Sequence, residues 1–279
     1  MVLLDDATVA FSLDGDGTPS ARITEHRQVL VSGERGRELA TLFVAHGKLT
    51  SIDTVAVRMR APDGHISDYG ADDAKDLPAV GGPLTFNDER VLELGPPVVP
   101  LGSVVDTFAV TVEKSPELFL FRRTLGGDVP VEDARFTVTA PEDFVVDTAG
   151  SLLGEAADFA PVTSVDGGVR RYTWQRAHVA ATRDQDHGYK SWEQHDEILV
   201  RLRSWARDGA TGQGPSDANE LSRFEYDLIK DAAQLTPALT ATAHKITEGA
   251  RDPRERAERL FQWTRDNIRY CAVIQGYGG

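Results

Sequence analysis

The sequence predicts a mainly β protein, an antiparallel β-sandwich followed by a small helical segment. Up to about residue 205, apolar and polar side chains alternate along short runs. Clusters of Gly, Pro and Asp separate these runs, and no long helical pattern lies between them. Beyond residues 208–217, "DGATGQGPSD", the apolar period changes from two to that of an α-helix.

The strand pattern can be followed along the chain. In residues 54–60, Val55, Val57 and Met59 share one face, and the following "APDGH" predicts a hairpin turn through its Pro and Asp-Gly. Strands with one apolar face are typical of antiparallel sheets, because parallel sheets are buried on both faces. The same alternation is found at residues 103–113, 133–141, 169–177 and 197–205.

Three helix starts follow the β-rich part. Asp217 is a predicted N-cap with Glu220 three residues later, which is the capping-box spacing. Thr236 and Asp252 each precede a proline, and proline is favoured at the first helical position. The third helix carries an apolar stripe of Leu260, Trp263, Thr264 and Ile268. We therefore predict a β-sandwich domain at 1–207, a linker at 208–216 and a helical segment with a first strand at 217–279.

Composition and charge narrow the function classes. The 279 residues carry a net charge of −14. Residues 211–279 hold 10 of the 44 acidic and 9 of the 30 basic residues, so the acidic excess belongs to residues 1–210. Because an acidic surface repels phosphates, we expect neither nucleic acid nor an anionic membrane surface as a partner. No apolar run reaches the roughly 20 residues of a spanning helix, so this segment is not expected to insert into a membrane.

The start of the chain has no basic n-region, and its apolar run is interrupted by two aspartates after "MVLL". It therefore lacks the pattern of a signal peptide. We expect a periplasmic or extracellular location if a signal precedes Met1, and a cytoplasmic one otherwise. The chain has one cysteine, which cannot form an internal disulfide. Cysteine usage therefore does not distinguish a reducing from an oxidising compartment.

The end of the chain carries the most specific motif. Residues 254–279, "RERAERLFQWTRDNIRYCAVIQGYGG", resemble the first helix and strand of bacterial transglutaminase-like domains, of the papain-like cysteine peptidase superfamily. The β-rich part resembles the domain of unknown function that precedes such domains in many bacteria. That similarity rests on "PPVVPLGS" at 96–103, "YTWQRAHV" at 172–179 and the linker helix "FEYDLIKDAAQLTPAL" at 224–239.

This resemblance decides how we interpret Cys271. In the superfamily the nucleophile comes later, in a Gly-Asp-Cys-like segment, and its His and Asp follow it. Cys271 falls on an apolar strand position, and the last histidine of the sequence, His244, precedes it. We therefore predict a packing role for Cys271 and expect the sequence to end before the catalytic cysteine. The alternative is a complete hydrolase in which Cys271 is the nucleophile and its base precedes it.

A second candidate site lies in residues 183–197, "RDQDHGYKSWEQHDE". His187, Tyr189, Trp192 and His195 could form a binding edge for a peptide or sugar, and the alternative is a solvated loop. The two histidines are eight residues apart, unlike the close pairs of zinc sites, so no metal is predicted. No cofactor is predicted either, because "GYGG" at 276–279 lacks the strand-to-helix setting of a nucleotide-binding loop.

Asp14 and Asp16, in "LDGDGTPS", resemble the start of a calcium loop. The loop would need a bidentate glutamate at a fixed distance, and Glu25 lies one position too far along the chain. We interpret the segment as an Asp-Gly hairpin turn.

Taken with the resemblance, these observations predict the non-catalytic N-terminal region of a transglutaminase-like protein. The parent would be a cysteine peptidase or a protein-crosslinking enzyme, and this region would position substrate or bind a protein or peptide. The alternative is a free-standing peptide- or glycan-binding β-sandwich module. Because the stripe on the third helix needs a cover, self-association through the C-terminal helix and strand is also expected.

Overall fold

A computed structural model describes residues 1–79, 85–87, 89–114, 120–151, 159–182, 188, 196–207, 209–231, 234–268 and 272–274. The chain forms two compact units. The first, here the β unit, comprises Met1–Ala79 and Glu89–Ser216. The second, here the helical unit, comprises Val80–Asp88 and Asp217–Gly279.

The described elements are mostly strands. The strands are β1 (Val2–Leu13), β2 (Pro19–Leu30), β3 (Leu42–His46), β4 (Thr50–Arg60), β5 (Ile66–Tyr69), β6 (Lys75–Pro78), β7 (Thr85–Asn87), β8 (Arg90–Leu94), β9 (Val104–Lys114), β10 (Leu120–Leu125), β11 (Val131–Pro141), β12 (Phe144–Ser151), β13 (Val162–Asp166), β14 (Val169–Val179), β15 (Asp196–Arg207), β16 (Ala210–Gln213) and β17 (Ala272–Ile274). The helices are α1 (Glu34–Glu38), a 3-10 turn (Ala71–Asp73), α2 (Ala218–Ile229), α3 (Pro237–Thr247) and α4 (Pro253–Asn267). The predicted mainly β class is confirmed.

The β unit contains three sheets in its described part. The main sheet has the order β13-β14-β11-β1-β2-β9-β4-β5. The β10 sheet has the order β10-β15-β12, with β16 beside β15, and the β3 sheet has the order β3-β8-β6. One strand pair of the main sheet differs from the predicted antiparallel arrangement. Strands β1 and β11 run parallel. Parallel neighbours need a long connection, and residues 14–130 provide it.

The core lies between the main sheet and the two smaller sheets. Phe11 of β1 meets Phe121 of β10 with ring centroids 5.8 Å apart, so the β10 sheet covers the β1 side of the main sheet. On the other side, β3 contacts β4 and β9. One continuous cluster of buried side chains joins all three sheets and includes Val9, Val44, Val57, Leu94, Phe136, Val138, Trp174, Ile198, Val200 and Leu202. The predicted sandwich therefore has one large layer and a divided second layer.

Two predicted turns form as hairpins. Gly64, between β4 and β5, has a φ of +89°, a left-handed conformation that favours glycine. In the β1–β2 turn, Asp14 forms an ion pair with Lys114 at 2.6 Å, and the backbone N–H of Thr18 donates to Asp16 at 2.9 Å. The bonds from Thr18 hold the pKa of Asp16 below its usual value. Both carboxylates thus have partners within the protein, as expected for a structural turn.

The helix starts agree with the sequence. The Asp217 carboxylate accepts from the backbone N–H groups of Asn219 and Glu220 at 2.8 and 2.9 Å. Thr236 accepts from the backbone N–H of Leu239 at 3.2 Å. Asp252 accepts from the backbone of the third residue of α4 at 2.9 Å. Each side chain satisfies backbone donors that have no partner within the helix.

The helical unit covers its apolar side chains only in part. Helices α3 and α4 contact each other, yet neither contains a buried residue. Of the predicted stripe on α4, Leu260 and Trp263 are half-buried, whereas Thr264 is exposed and Ile268 is 54% exposed. Strand β17 pairs in parallel with β7, and Val273 lies opposite Phe86.

Glu255 joins the first turn of α4 to the residues before it. Its carboxylate accepts from the backbone N–H and the Nε–H of Arg251, both at 2.9 Å, and from Arg259 Nη2 at 2.7 Å. These bonds, led by the one from the Arg251 backbone, lower the pKa of Glu255 to about 2. A carboxylate with a lowered folded pKa stabilises the fold above its unfolded pKa of about 4.3, and this contribution is lost as the pH falls from there.

We therefore expect α4 to lose protection between about pH 4.3 and pH 2, and Glu255→Gln to weaken that pH dependence. Amide hydrogen exchange of α4, followed by NMR across this pH range, measures it. Glu258→Gln is the matched control, because Glu258 lies on the same helix and pairs with Arg254 at 3.0 Å. Equal pH profiles for wild type and Glu255→Gln would contradict the prediction.

Candidate functional site

The residues that the sequence singles out lie outside the described part of the structure. These are the candidate nucleophile Cys271 and the candidate binding edge of His187, Tyr189, Trp192 and His195. Their predicted roles remain predictions. The described residues instead bring together a polar site that the sequence analysis missed.

This site is a slot on the inner face of the main sheet. Asp5 on β1, Glu25 and Arg27 on β2, and Thr107 on β9 form its floor. They share one face because Asp5 lies opposite Arg27, and Arg27 lies opposite Thr107, in the strand register. Leu39, Thr41, Leu42 and Phe43, from the end of α1 to β3, form one wall. The cavity has a volume of about 300 Å³.

Arg123, on β10, donates hydrogen bonds to two carboxylates of the slot floor. Its Nη2–H donates to Asp5 Oδ1 at 2.7 Å, and its Nη1–H donates to Glu25 Oε1 at 3.0 Å. Arg27 Nε–H also donates to Asp5, at 3.3 Å. Asp5 is buried and Arg123 is largely buried, while Glu25 and Arg27 reach solvent. A buried carboxylate needs such partners, because removing an unpaired charge from water costs several kcal/mol.

The wall formed by the end of α1 and by β3 combines apolar and acidic groups. Leu42 is half-buried, whereas Phe43 on the same strand is 60% exposed. Glu38, at the end of α1, is also exposed and forms an ion pair with Arg35 at 2.5 Å. The slot therefore presents carboxylates and one exposed aromatic ring beside a buried ion-pair network. These groups can hold a polar or cationic ligand by hydrogen bonds and charge.

The outer face of the main sheet carries a second polar cluster. Arg58 donates two hydrogen bonds to Asp68, at 2.5 and 3.2 Å, which raise the pKa of Arg58 and lower the pKa of Asp68. His26 Nε2 lies 3.3 Å from Asp106 Oδ1, and Gln28 donates to the same oxygen at 2.9 Å. A His–Asp pair is part of a nucleophilic triad, but among the described residues those lining this cavity of about 540 Å³ include no Ser, Thr or Cys. We interpret the cluster as cross-strand pairing on a solvated face.

Two further observations concern metals and membranes. Within the described residues, no group of three or more His, Cys, Asp or Glu side chains is arranged to hold a metal ion. Of the described helices, none is long and apolar enough to cross a membrane.

A comparison with known protein families finds a match to most of the β unit. Residues 19–183 match the family described as "Domain of Unknown Function with solved-structure structure (DUF3857)". The chain belongs to the DUF3857 family. The matched residues of this DUF3857 protein run from β2 to beyond β14, and so include most of the main sheet and most of the slot. No curated protein matches the chain.

One solved structure shares this fold. A crystal structure described as "a putative protease" from Parabacteroides distasonis ATCC 8503 has a TM-score of 0.69 to this DUF3857 protein at 12% identity. The match covers 95% of this chain and 50% of that one, so the chain spans about half the length of that protein. A "putative nutrient binding protein" from Legionella pneumophila, 9% identical over 99% of this chain and 87% of that one, has a TM-score of 0.34, too low to indicate a shared fold.

Proposed function

We propose that this DUF3857 protein is the non-catalytic N-terminal region of a larger bacterial transglutaminase-like protein. The parent would be a cysteine peptidase or a protein-crosslinking enzyme, and this region would position a substrate or bind a partner protein. The observation that carries the proposal is the match to half of a protein described as "a putative protease". The resemblance of residues 254–279 to the start of a transglutaminase-like domain supports the same assignment.

The exposed apolar side chains of the helical unit also support it. Ile229 on α2, Phe261 on α4 and Ile268 after α4 are all exposed. Contiguous exposed apolar groups mark surfaces that contact another domain or protein, and Phe261 and Ile268 lie about two helical turns apart along α4 and its C-terminal end. In a longer protein the remainder of the enzyme domain would cover them. In the isolated chain a second copy would do so, and light scattering would then detect a dimer.

An activity assay tests the non-catalytic role. The chain is incubated with labelled casein and an amine donor, beside its Cys271→Ala variant. We expect no hydrolysis or amine incorporation above background from either protein, because the nucleophile of the resembled domains lies beyond the part that this sequence matches. Turnover that requires Cys271 would overturn the proposal and identify Cys271 as a nucleophile.

The slot favours a second candidate, a free-standing binding module for peptides or glycans. In that case the β unit would bind its ligand without an enzyme domain. The gene sequence beyond Gly279 distinguishes the two. A Gly-Asp-Cys-like segment followed by His and Asp supports the first proposal, and an immediate stop codon supports the second.

A further inference from the structure

The hairpin of β13 and β14 lies at one edge of the main sheet. Strand β13 stands at the end of the strand order, and among the described strands it pairs only with β14. All five residues of β13 are exposed, on both faces of the sheet, and Val162 and Val165 are 76% and 51% exposed. The second layer of the sandwich therefore does not cover β13.

The turn of this hairpin shows which backbone groups of β13 face outward. Residues 167–168, both glycine, have φ values of +57° and +76°, as in the two-residue type I′ turn. The residues that close such a turn, Asp166 and Val169, form a hydrogen-bonded pair, and hydrogen-bonded and non-hydrogen-bonded pairs alternate from there. Thr163 and Val165 therefore point their N–H and C=O groups away from β14, toward the open edge.

This edge lacks the features that prevent strand addition in other sheets. Protected edges carry lysine, proline or a bulge. Strand β13, "VTSVD", contains neither lysine nor proline, its register with β14 is continuous, and its one charge, Asp166, lies beside the turn. Valine and threonine also favour strands. An extended segment of another chain can therefore pair with Thr163 and Val165 as an added strand.

Two arginines beside the edge indicate the charge of that segment. Arg170 and Arg171 lie on β14 opposite Val165 and Ser164. Because they are consecutive strand residues, one arginine lies on each face of the sheet. Among the described residues neither takes part in an ion pair, whereas Arg135 on the neighbouring strand β11 is paired with an aspartate at 3.5 Å. The edge therefore carries positive charge that the described residues do not neutralise.

The distance to an added strand allows these arginines to reach it. The strand would lie about 10 Å from β14, two strand spacings away. Arginine and glutamate side chains that extend toward each other span this distance, and the small side chains of Ser164 and Val165 leave the path open. A segment with acidic residues at two adjacent positions would present one carboxylate on each face, within reach of one arginine.

A second copy of this chain fits the edge less well. Antiparallel self-pairing through Thr163 and Val165 would set Ser164 opposite itself. The Arg171 side chains of the two copies would then lie on the same face and in the same row, with no carboxylate in that row. The charge at the edge therefore favours a different, acidic partner.

We propose that β13 binds an extended acidic segment of a partner protein as an added strand. The inference rests on the proposed function in its partner-binding form, and it names the surface and the chemistry of the partner. Thr163 and Val165 supply the backbone pairing, and Arg170 and Arg171 select adjacent acidic residues.

Fluorescence anisotropy with two defined peptides tests the proposal. The probe is the fluorescein-labelled octapeptide Thr-Val-Thr-Glu-Glu-Thr-Val-Thr, and the comparison peptide has Lys-Lys in place of Glu-Glu. We expect saturable binding of the Glu–Glu peptide with a Kd below about 1 mM, and binding of the Lys–Lys peptide weakened at least about fivefold. The net charge of −14 acts in the opposite direction, since it attracts the Lys–Lys peptide. A preference for the Glu–Glu peptide would therefore come from local groups.

Two variants of β13 test the backbone pairing. Thr163→Pro removes an outward N–H that does not bond β14, and proline is tolerated at such positions of edge strands. It should raise the Kd of the Glu–Glu peptide at least about tenfold. Thr163→Ala is the matched control, because it removes the same side chain and keeps the N–H, and it should leave the Kd nearly unchanged. Thermal melting of both variants confirms that the fold is preserved.

A variant of β14 tests the charge. Arg171→Gln should raise the Kd of the Glu–Glu peptide about threefold and should not weaken binding of the Lys–Lys peptide. Arg60→Gln is the matched control, because Arg60 is also exposed and lies on β4, near the other edge of the main sheet. It should leave both Kd values unchanged.

Four binding results would overturn the inference. They are no saturable binding of the Glu–Glu peptide, equal binding of the Lys–Lys peptide, equal Kd values for Thr163→Pro and Thr163→Ala, and equal effects of Arg171→Gln and Arg60→Gln. A dimer that light scattering detects in the wild type and not in Thr163→Pro would assign the edge to a second copy and would also overturn it.

The casein assay and the peptide test fail independently. Casein turnover that requires Cys271 would remove the non-catalytic role and leave these Kd values unchanged. Failure of the Glu–Glu peptide to bind would remove the role of β13 and leave the casein result unchanged.

Discussion

Asp5→Ala is expected to lower the free energy of unfolding of the β unit by about 3 kcal/mol. Asp5 is buried and receives hydrogen bonds from Arg123 at 2.7 Å and from Arg27 at 3.3 Å. Without it, Arg123 remains largely buried with Glu25 as its other carboxylate partner. The cost arises because the variant leaves a buried cation short of negative charge. Urea unfolding followed by circular dichroism measures the change.

A double variant that removes both charges separates the cost of leaving one buried charge unpaired from the net contribution of the ion pair to stability. Asp5→Leu combined with Arg123→Met should stay within about 1–2 kcal/mol of wild type, because apolar side chains of similar volume often replace a buried ion pair without loss. Asp53→Ala is the surface control, since Asp53 pairs with Arg22 at 2.5 Å and both side chains are about half exposed. It should cost less than about 1 kcal/mol. Equal losses in Asp5→Ala and Asp53→Ala would show that the slot network contributes no more to stability than an exposed ion pair does.

Local patterns in the sequence predicted the parts of the fold that depend on neighbouring residues. The alternation of Val55, Val57 and Met59 corresponds to buried positions on β4. The caps at Asp217 and Asp252 form the predicted hydrogen bonds because a cap requires only residues within one helical turn. In these cases the physical cause of the structure lies inside the segment that carries the signal.

The slot could not be predicted in the same way. Asp5 and Arg123 are 118 residues apart, and only the folded sheets place them in contact. The parallel pairing of β1 with β11 also depends on a long connection, which strand patterns alone do not specify. One local signal was available, since Asp5, Glu25 and Arg27 are charged residues at inward positions of strands whose other inward residues include Val9 and Ile23. Charges at such positions usually mark a partner or a site.

Trp174→Ala is expected to lower the free energy of unfolding of the β unit by about 3–5 kcal/mol, the usual cost of truncating a buried aromatic side chain. Trp174 is 2% exposed and stacks on Phe136, directly opposite in the register, with centroids 5.7 Å apart. Its indole N–H donates to the backbone carbonyl of Phe159 at 3.2 Å. Removing the ring opens a cavity and leaves that carbonyl without its donor.

Trp174→Phe separates these two effects in large part, because it keeps an aromatic ring against Phe136 and removes the N–H donor together with a smaller part of the buried volume. We expect it to cost about 1–3 kcal/mol, less than Trp174→Ala. Trp263→Ala, in the half-buried part of α4, is the control and should leave the main unfolding transition of the β unit unchanged. Urea unfolding monitored by far-UV circular dichroism reports these differences. Phe159 is also contacted by Arg176, whose guanidinium lies 4.3 Å from the centre of the Phe159 ring. If Trp174→Phe were as costly as Trp174→Ala, the hydrogen bond to Phe159, rather than the packing on Phe136, would be the main contribution of Trp174 to stability.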